Sequence, residues 1–215
     1  MAFAGWTAAA VAFYAGLEQN NSTTYWSAHL TTYQSEVLGP LEQLLAEIED
    51  LGPGRIYRPR RDTRFSVDKT PYKTAACAAL HNGGIIQISS RGLAVGAGWQ
   101  TMAPDQLKRF RARVADEVAG RDLQEVVVTL RNSGIELEPG NQLVRIPSGY
   151  PADHPRAELL RRKDLFVWHE WPVEPWLATA DAKTRIVEFL TTSRPLDSWL
   201  AAHVGSTELR RPSFR

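Results

Sequence analysis

Ala75-Ala-Cys-Ala-Ala-Leu-His-Asn-Gly-Gly-Ile-Ile-Gln-Ile-Ser-Ser-Arg-Gly-Leu-Ala-Val-Gly-Ala97 is the stretch whose reading decides the fold. Three short apolar runs, 75–80, 85–89 and 93–97, are separated by His81-Asn-Gly-Gly84 and Ser90-Arg-Gly92. Both separators carry turn residues, so the stretch predicts an antiparallel meander of three strands.

Outward from the meander, the pattern is helical on the N-terminal side. Trp6, Ala10, Phe13 and Leu17 recur at the spacing of one helix face, with Thr7 as N-cap. Ser22 is the candidate cap of a second helix with the stripe Trp26, Leu30, Tyr33 and Val37. Gly39-Pro40 should kink or break it before Leu41, Leu44, Leu45 and Ile48 resume the period. On the C-terminal side, Pro104 opens a helix through Leu107, Phe110, Val114 and Val118. Leu123, Val126, Val127 and Leu130 suggest another, although Val126-Val-Val-Thr129 also has strand character. A short strand is expected through Val144 and Ile146, a short helix over 156–163 and a strand over 165–171. Two helical segments close the pattern, one through Ile186, Phe189 and Leu190, the other through Leu196, Trp199, Leu200 and His203 after Arg194-Pro195. Gly205 is the expected stop. The fold class is therefore α+β: a single domain over 1–215, mainly antiparallel sheet, with helices from the N-terminal, middle and C-terminal segments packed against it.

Composition narrows the function classes. The chain has 215 residues, 43% apolar and 23% charged, with a net charge of +1 and one cysteine. A lone Cys77 excludes an intramolecular disulfide or a thiolate metal cluster. The first residues lack the basic start and apolar run of a secretory signal, and no apolar run is long enough to span a membrane, so the expectation is a cytoplasmic protein.

The one strong charge feature precedes the meander. Arg55-Ile-Tyr-Arg-Pro-Arg-Arg-Asp-Thr-Arg-Phe-Ser-Val-Asp-Lys-Thr-Pro-Tyr-Lys73 carries a net +5 in nineteen residues, against +1 for the whole chain. Its prolines and scattered charge predict an extended start near 55–58 and then an ordered loop. Arginine forks capture phosphate or carboxylate and lysine adds a point charge, so Arg58, Arg61, Arg64, Lys69 and Lys73, with Tyr72, are the candidate ligand-binding residues. The partner would be an anionic small molecule, an acidic peptide or a nucleic-acid backbone, with Tyr57, Phe65 and Tyr72 available to stack a base. The alternative is an internal ion-pair network in which Asp62 and Asp68 pin the loop.

An enzyme acting on a phosphorylated or nucleotide substrate would need a general base, for which Asp62, Asp68 and His154 are the candidates. Asp153-His154, between prolines, also reads as a turn whose aspartate caps the next helix. An interaction module could use Trp168 and Trp171, although a spacing of three puts them on opposite faces of a strand. His29, His81, His154, His169 and His203 have no metal-ligand spacing, and neither Walker, dinucleotide nor nucleophile-elbow pattern is present, so no metal or cofactor is expected. Cys77, in a small apolar strand, reads as an inert buried thiol.

The basic stretch from Arg58 to Lys73 also resembles the signature of a bacterial and fungal family of unknown function, DUF2461. Matches continue at Glu18-Gln-Asn-Asn-Ser22 with Tyr25-Trp26, at Gln87-Ile-Ser89 with Gly92-Leu-Ala-Val-Gly96, and at Gly149-Tyr-Pro-Ala-Asp-His-Pro155 with Leu159, Leu160 and Lys163. Arg194-Pro-Leu196 with Trp199-Leu200 completes them. The resemblance implies a single α+β domain and singles out the basic loop. Two departures accompany it: Ala75 stands where the pattern often has a histidine, and Ala97 interrupts what is commonly a triple glycine.

Overall fold

The computed structural model describes residues 2–209. Helices are α1 (Ala8–Gln19), α2 (Thr23–Ala28), α3 (Leu30–Thr32), α4 (Gly39–Glu47), α5 (Pro104–Ala115), α6 (Glu117–Asn132), α7 (Ala157–Arg161) and α8 (Asp181–His203). Strands are β1 (Gly54–Ile56), β2 (Ala75–Leu80), β3 (Ile85–Ser89), β4 (Gly92–Trp99) and β5 (Leu165–Trp171). They form an antiparallel sheet in the order β1-β2-β3-β4-β5, so the fold is α+β as expected. The chain divides into two compact units. The first comprises the described residues to Val95 with His169–Thr191, and the second Gly96–Trp168 with the described residues from Thr192 onward.

In the first unit, Thr7 caps α1 by accepting the Ala9 N–H, and Ser22 caps α2 by accepting that of Tyr25. Each cap satisfies one amide that the first helical turn leaves unpaired. Ala10, Phe13, Tyr14 and Leu17 bury the inner face of α1. The second helical region runs through Gly39-Pro40 by widening rather than stopping. A π-helical stretch covers Tyr33–Leu38, and the Gly39 N–H reaches back five residues to Gln34. Pro40 has no N–H to add to that ladder. An earlier break, at His29, turns Leu30 out of the expected stripe to 41% exposure, while Trp26, Tyr33 and Val37 stay buried. On β2, side chains alternate: Ala76, Ala78 and Leu80 are buried, and Ala75, Cys77 and Ala79 lie half-buried on the other face. The pairing register sets Cys77 directly opposite Gln87 and Ala76 opposite Ile88.

In the second unit, α5 begins at Pro104 and α6 is a helix throughout, with Asp116 as its N-cap accepting from Val118 and Ala119. Burial of Leu123 and Leu130 on one face overrides the strand preference of its valines. Two buried arginines hold the loops. Arg156 donates to the carbonyls of Val114 (2.6 Å), Ala115 (3.3 Å) and Asp116 (3.2 Å), closing the C-terminal end of α5. Arg162 donates to the Asp164 carboxylate at 3.0 Å and to the Glu138 carbonyl.

The expected strand through Val144 and Ile146 does not form. Backbone pairing across Asn141–Leu143 and Arg161–Lys163 stops at Leu143, Val144 is 93% exposed, and Pro147 could not extend a ladder. The two expected C-terminal helices are one, α8, with Pro195 inside it. The period never lapses, because the apolar stripe is continued by a fully buried Ser193 between Leu190 and Leu196. The helix ends where Val204 and Gly205 both donate to the Leu200 carbonyl.

Candidate functional site

The basic stretch forms a ribbon with a protruding loop. Pro59 and Pro71 keep the two sides extended. Arg61 N–H bonds the Pro71 carbonyl at 2.9 Å, Lys73 N–H the Pro59 carbonyl at 2.8 Å and Tyr57 N–H the Cys77 carbonyl at 2.9 Å, so the ribbon continues the β1–β2 pairing. Asn21, just past the end of α1, fastens it. Its side-chain amide donates to the Tyr72 carbonyl (2.9 Å) and its oxygen accepts the Tyr72 N–H (3.0 Å), as a neighbouring strand would. The Tyr72 ring stacks on Trp26 at 4.2 Å with 6° between planes. Tyr72 is thus an anchor, largely buried at 8% exposure.

Between the sides, residues 62–70 are cross-linked by their own side chains. Asp62 takes a fork from Arg64, at 2.9 Å from Nε and 2.7 Å from Nη2. Asp68 accepts the Thr70 N–H at 2.9 Å and pairs with Arg61 Nη1, which also donates to the Thr70 hydroxyl. Lys69 donates to the Thr63 carbonyl at 2.9 Å. The hydrogen bonds from Arg64 to Asp62, and from Arg61 and Thr70 to Asp68, hold both carboxyls down at about 2.

Beneath the loop lies a cleft of about 490 Å³. The basic ribbon contributes Arg61, Asp68, Thr70, Tyr72, Lys73 and Thr74, the end of α1 contributes Glu18 and Asn21, and the sheet contributes Ala75, Cys77 and Gln87. Ala75 and Cys77, small side chains on the half-buried face of β2, leave space in the cleft lining. Lys73 lies 5.1 Å above the Tyr57 ring, with no carboxylate at ion-pair distance among the described residues. Arg61 uses Nη1 alone in its bonds to Asp68 and Thr70. Glu18 accepts from the Ser90 hydroxyl at 2.7 Å, and Gln87 Oε1 accepts from the Cys77 thiol at 3.2 Å. Cys77 is therefore half-buried and part of the cleft, not sealed in the core; burial still raises its pKa, against a smaller opposing effect of Lys73.

Of the sequence-predicted residues, Arg61, Asp68, Tyr72 and Lys73 come together here, while Arg58, Arg64, Lys69 and Asp62 do not line the cleft. His154 belongs to the second unit. There it accepts the Arg156 N–H at 3.0 Å, so the histidine, not Asp153, caps that turn. Glu18, Asn21 and Gln87 line the cleft without standing out in the sequence as site residues. The signal for them is that all three fall in the polar stretches that accompany the basic signature, Glu18-Gln-Asn-Asn-Ser22 and Gln87-Ile-Ser89.

Those separated stretches thus meet around one cleft. The chain belongs to the DUF2461 family. Residues 9–199 match the family described as conserved hypothetical protein (DUF2461). No curated protein and no solved structure matches the chain. Ala75, one of the two departures noted in the sequence, is among the lining residues, so this chain presents a methyl group at that point. No helix among the described residues is long and apolar enough to cross a membrane.

Proposed function

We propose that the cleft binds a small molecule carrying a phosphate or carboxylate, with the anion between Lys73 Nζ and the uncommitted edge of the Arg61 guanidinium. The observation that carries this reading is Lys73: a half-buried lysine lining a cleft of about 490 Å³, without a carboxylate at ion-pair distance among the described residues. Arg61 supports it, since a guanidinium has five N–H donors and only Nη1 is engaged. The Gln87 amide nitrogen and the Thr74 hydroxyl offer further polar contacts in the same lining. Glu18 and Asp68 balance the two cations, which favours a ligand with hydroxyl or amino donors beside its anion over a bare polyanion.

Binding is favoured over proton transfer, because carboxyls held near 2 accept protons poorly at neutral pH. A second reading, a single-stranded nucleic-acid backbone, draws on Phe65, 89% exposed beside Arg64, and on Tyr57, 44% exposed. Bases stack on such rings when cations track the phosphates.

The test is a thermal-shift screen of nucleotides, phosphosugars, small carboxylates and short oligonucleotides, since ligand bound to the native state raises its melting temperature. A small anionic compound should raise it in the wild type and not in Lys73→Met. A response confined to oligonucleotides would favour the second reading, and no response to any class would reject both.

A further inference from the structure

The second unit has a cavity of its own, about 310 Å³, lined by Gln100, Glu138, Gly140, Asp164, Phe166 and Trp168. That volume is at the lower end of small-ligand sites, roughly 300–1,000 Å³, and admits one ring-sized molecule. Phe166 and Trp168, two apart on β5, share a face of the strand. Their rings stack at 5.8 Å and 29°. They lie close over Gly96, where a Cβ would come within 2.5 Å of Phe166 and 2.6 Å of Trp168. Phe166 is buried and Trp168 half-buried, so Trp168 supplies the accessible aromatic surface.

The polar part of the lining is pinned. Asp164 is buried, bonded by Arg162 and by the Asn141 N–H, and approaches Gly140 so closely that a Cβ there would lie 2.2 Å from its carboxylate. The Glu138 backbone is fixed at both ends of its peptide groups, donating to the Phe166 carbonyl at 2.9 Å and accepting from Arg162. Among the described residues, neither the Glu138 carboxylate nor the Gln100 amide has a partner within the protein.

The geometry points to a saccharide subsite: one sugar ring stacked through its C–H face on Trp168, with hydroxyls donating to Glu138 and exchanging hydrogen bonds with Gln100. The chemistry of the lining selects that class. An anion would meet two carboxylates. An ammonium ligand is recognised by several ring faces, where this cavity has one accessible ring, and it cannot accept the Gln100 N–H. A hydroxyl both donates and accepts, matching an acceptor-only carboxylate and a two-way amide.

Saturation-transfer NMR and titration of the full chain with the methyl glycosides of glucose, galactose, N-acetylglucosamine and ribose test this, with choline as the cationic control. At least one sugar should bind with a millimolar Kd, with transfer strongest to its ring C–H protons. Glu138→Ala and Trp168→Ala should each weaken it roughly tenfold or more. Gln100→Ala, at an exposed position, should weaken it as well and remains informative if Trp168→Ala does not fold. Lys73→Met should leave it unchanged, which separates this site from the anion cleft. Absence of binding by all four sugars, binding indifferent to Glu138 and Gln100, or tighter binding of choline would each overturn the assignment.

Discussion

The molecule uses arginine in two opposite ways. In the second unit, Arg156 and Arg162 are about 95% or more buried and direct their donors to backbone carbonyls and to the buried Asp164. In the basic ribbon of the first unit, Arg64 is 77% exposed at its side chain and its carboxylate partner sits two residues away. A buried guanidinium that closes a helix end or a loop cannot be removed without orphaning what it bonds. An exposed one paired within its own loop contributes little to stability, because water and salt screen the pair. The difference teaches that a run of cations in a sequence marks charge density, not which cations are available: Lys73 and the free edge of Arg61 are, and Arg64 is engaged.

The largest effect expected from this comparison is Arg162→Ala. It leaves the Asp164 carboxylate buried and without its counter-ion, a change of about 3–5 kcal/mol. Urea denaturation should show that loss with the fold's circular dichroism otherwise retained at low urea; a loss below about 1 kcal/mol would erase the distinction between the two kinds of arginine.

Next is Asp197, the second unit's other buried carboxyl, whose Oδ1 accepts the Gly98 N–H at 2.8 Å. Burial raises its pKa from 3.8 to about 6, and the Gly98 hydrogen bond opposes this less strongly. The folded state therefore holds this proton more tightly than the unfolded chain does. Its contribution to stability is full below about pH 4 and is lost as pH rises through about 6. Asp197→Asn keeps the acceptor and removes the charge, so it should stabilise the protein by about 2–3 kcal/mol at pH 7 and by almost nothing at pH 4. Melting temperatures of both proteins at the two pH values check this, and a difference that does not depend on pH would contradict it.

The smallest effect belongs to the exposed loop. Arg64→Ala should leave the melting temperature nearly unchanged, since its partner Asp62 returns to water. A large drop would mean that the loop is held by the ion-pair network rather than by Asn21, Tyr72 and the ribbon hydrogen bonds.

What was legible in the sequence follows the range of the interactions. The Thr7 and Ser22 caps and the meander depend on neighbours a few residues away and were readable, whereas the alternation of β2, inside an unbroken apolar run, was not. The break at His29 and the buried Ser193 were not, because a polar residue inside an apolar stripe is indistinguishable from an interruption until its surroundings are known. The missing strand at Val144 has the same origin, since a β-branched residue becomes a strand only where another strand is available to pair with it. At the site, the charge of the basic stretch was plain. The pairing of Asn21 with Tyr72 across 51 positions, and the open space that small side chains leave on β2 opposite Gln87, were not.

The most direct test is an equilibrium titration of whichever small anion the screen identifies against the wild type, Lys73→Met and Arg64→Ala under one buffer and salt condition. Lys73→Met should raise the Kd roughly ten- to a hundredfold, the value of a hydrogen bond to a charged group, while Arg64→Ala changes it little. An equal loss in both variants, or a larger one in Arg64→Ala, would contradict the assignment of the anion to Lys73 and Arg61.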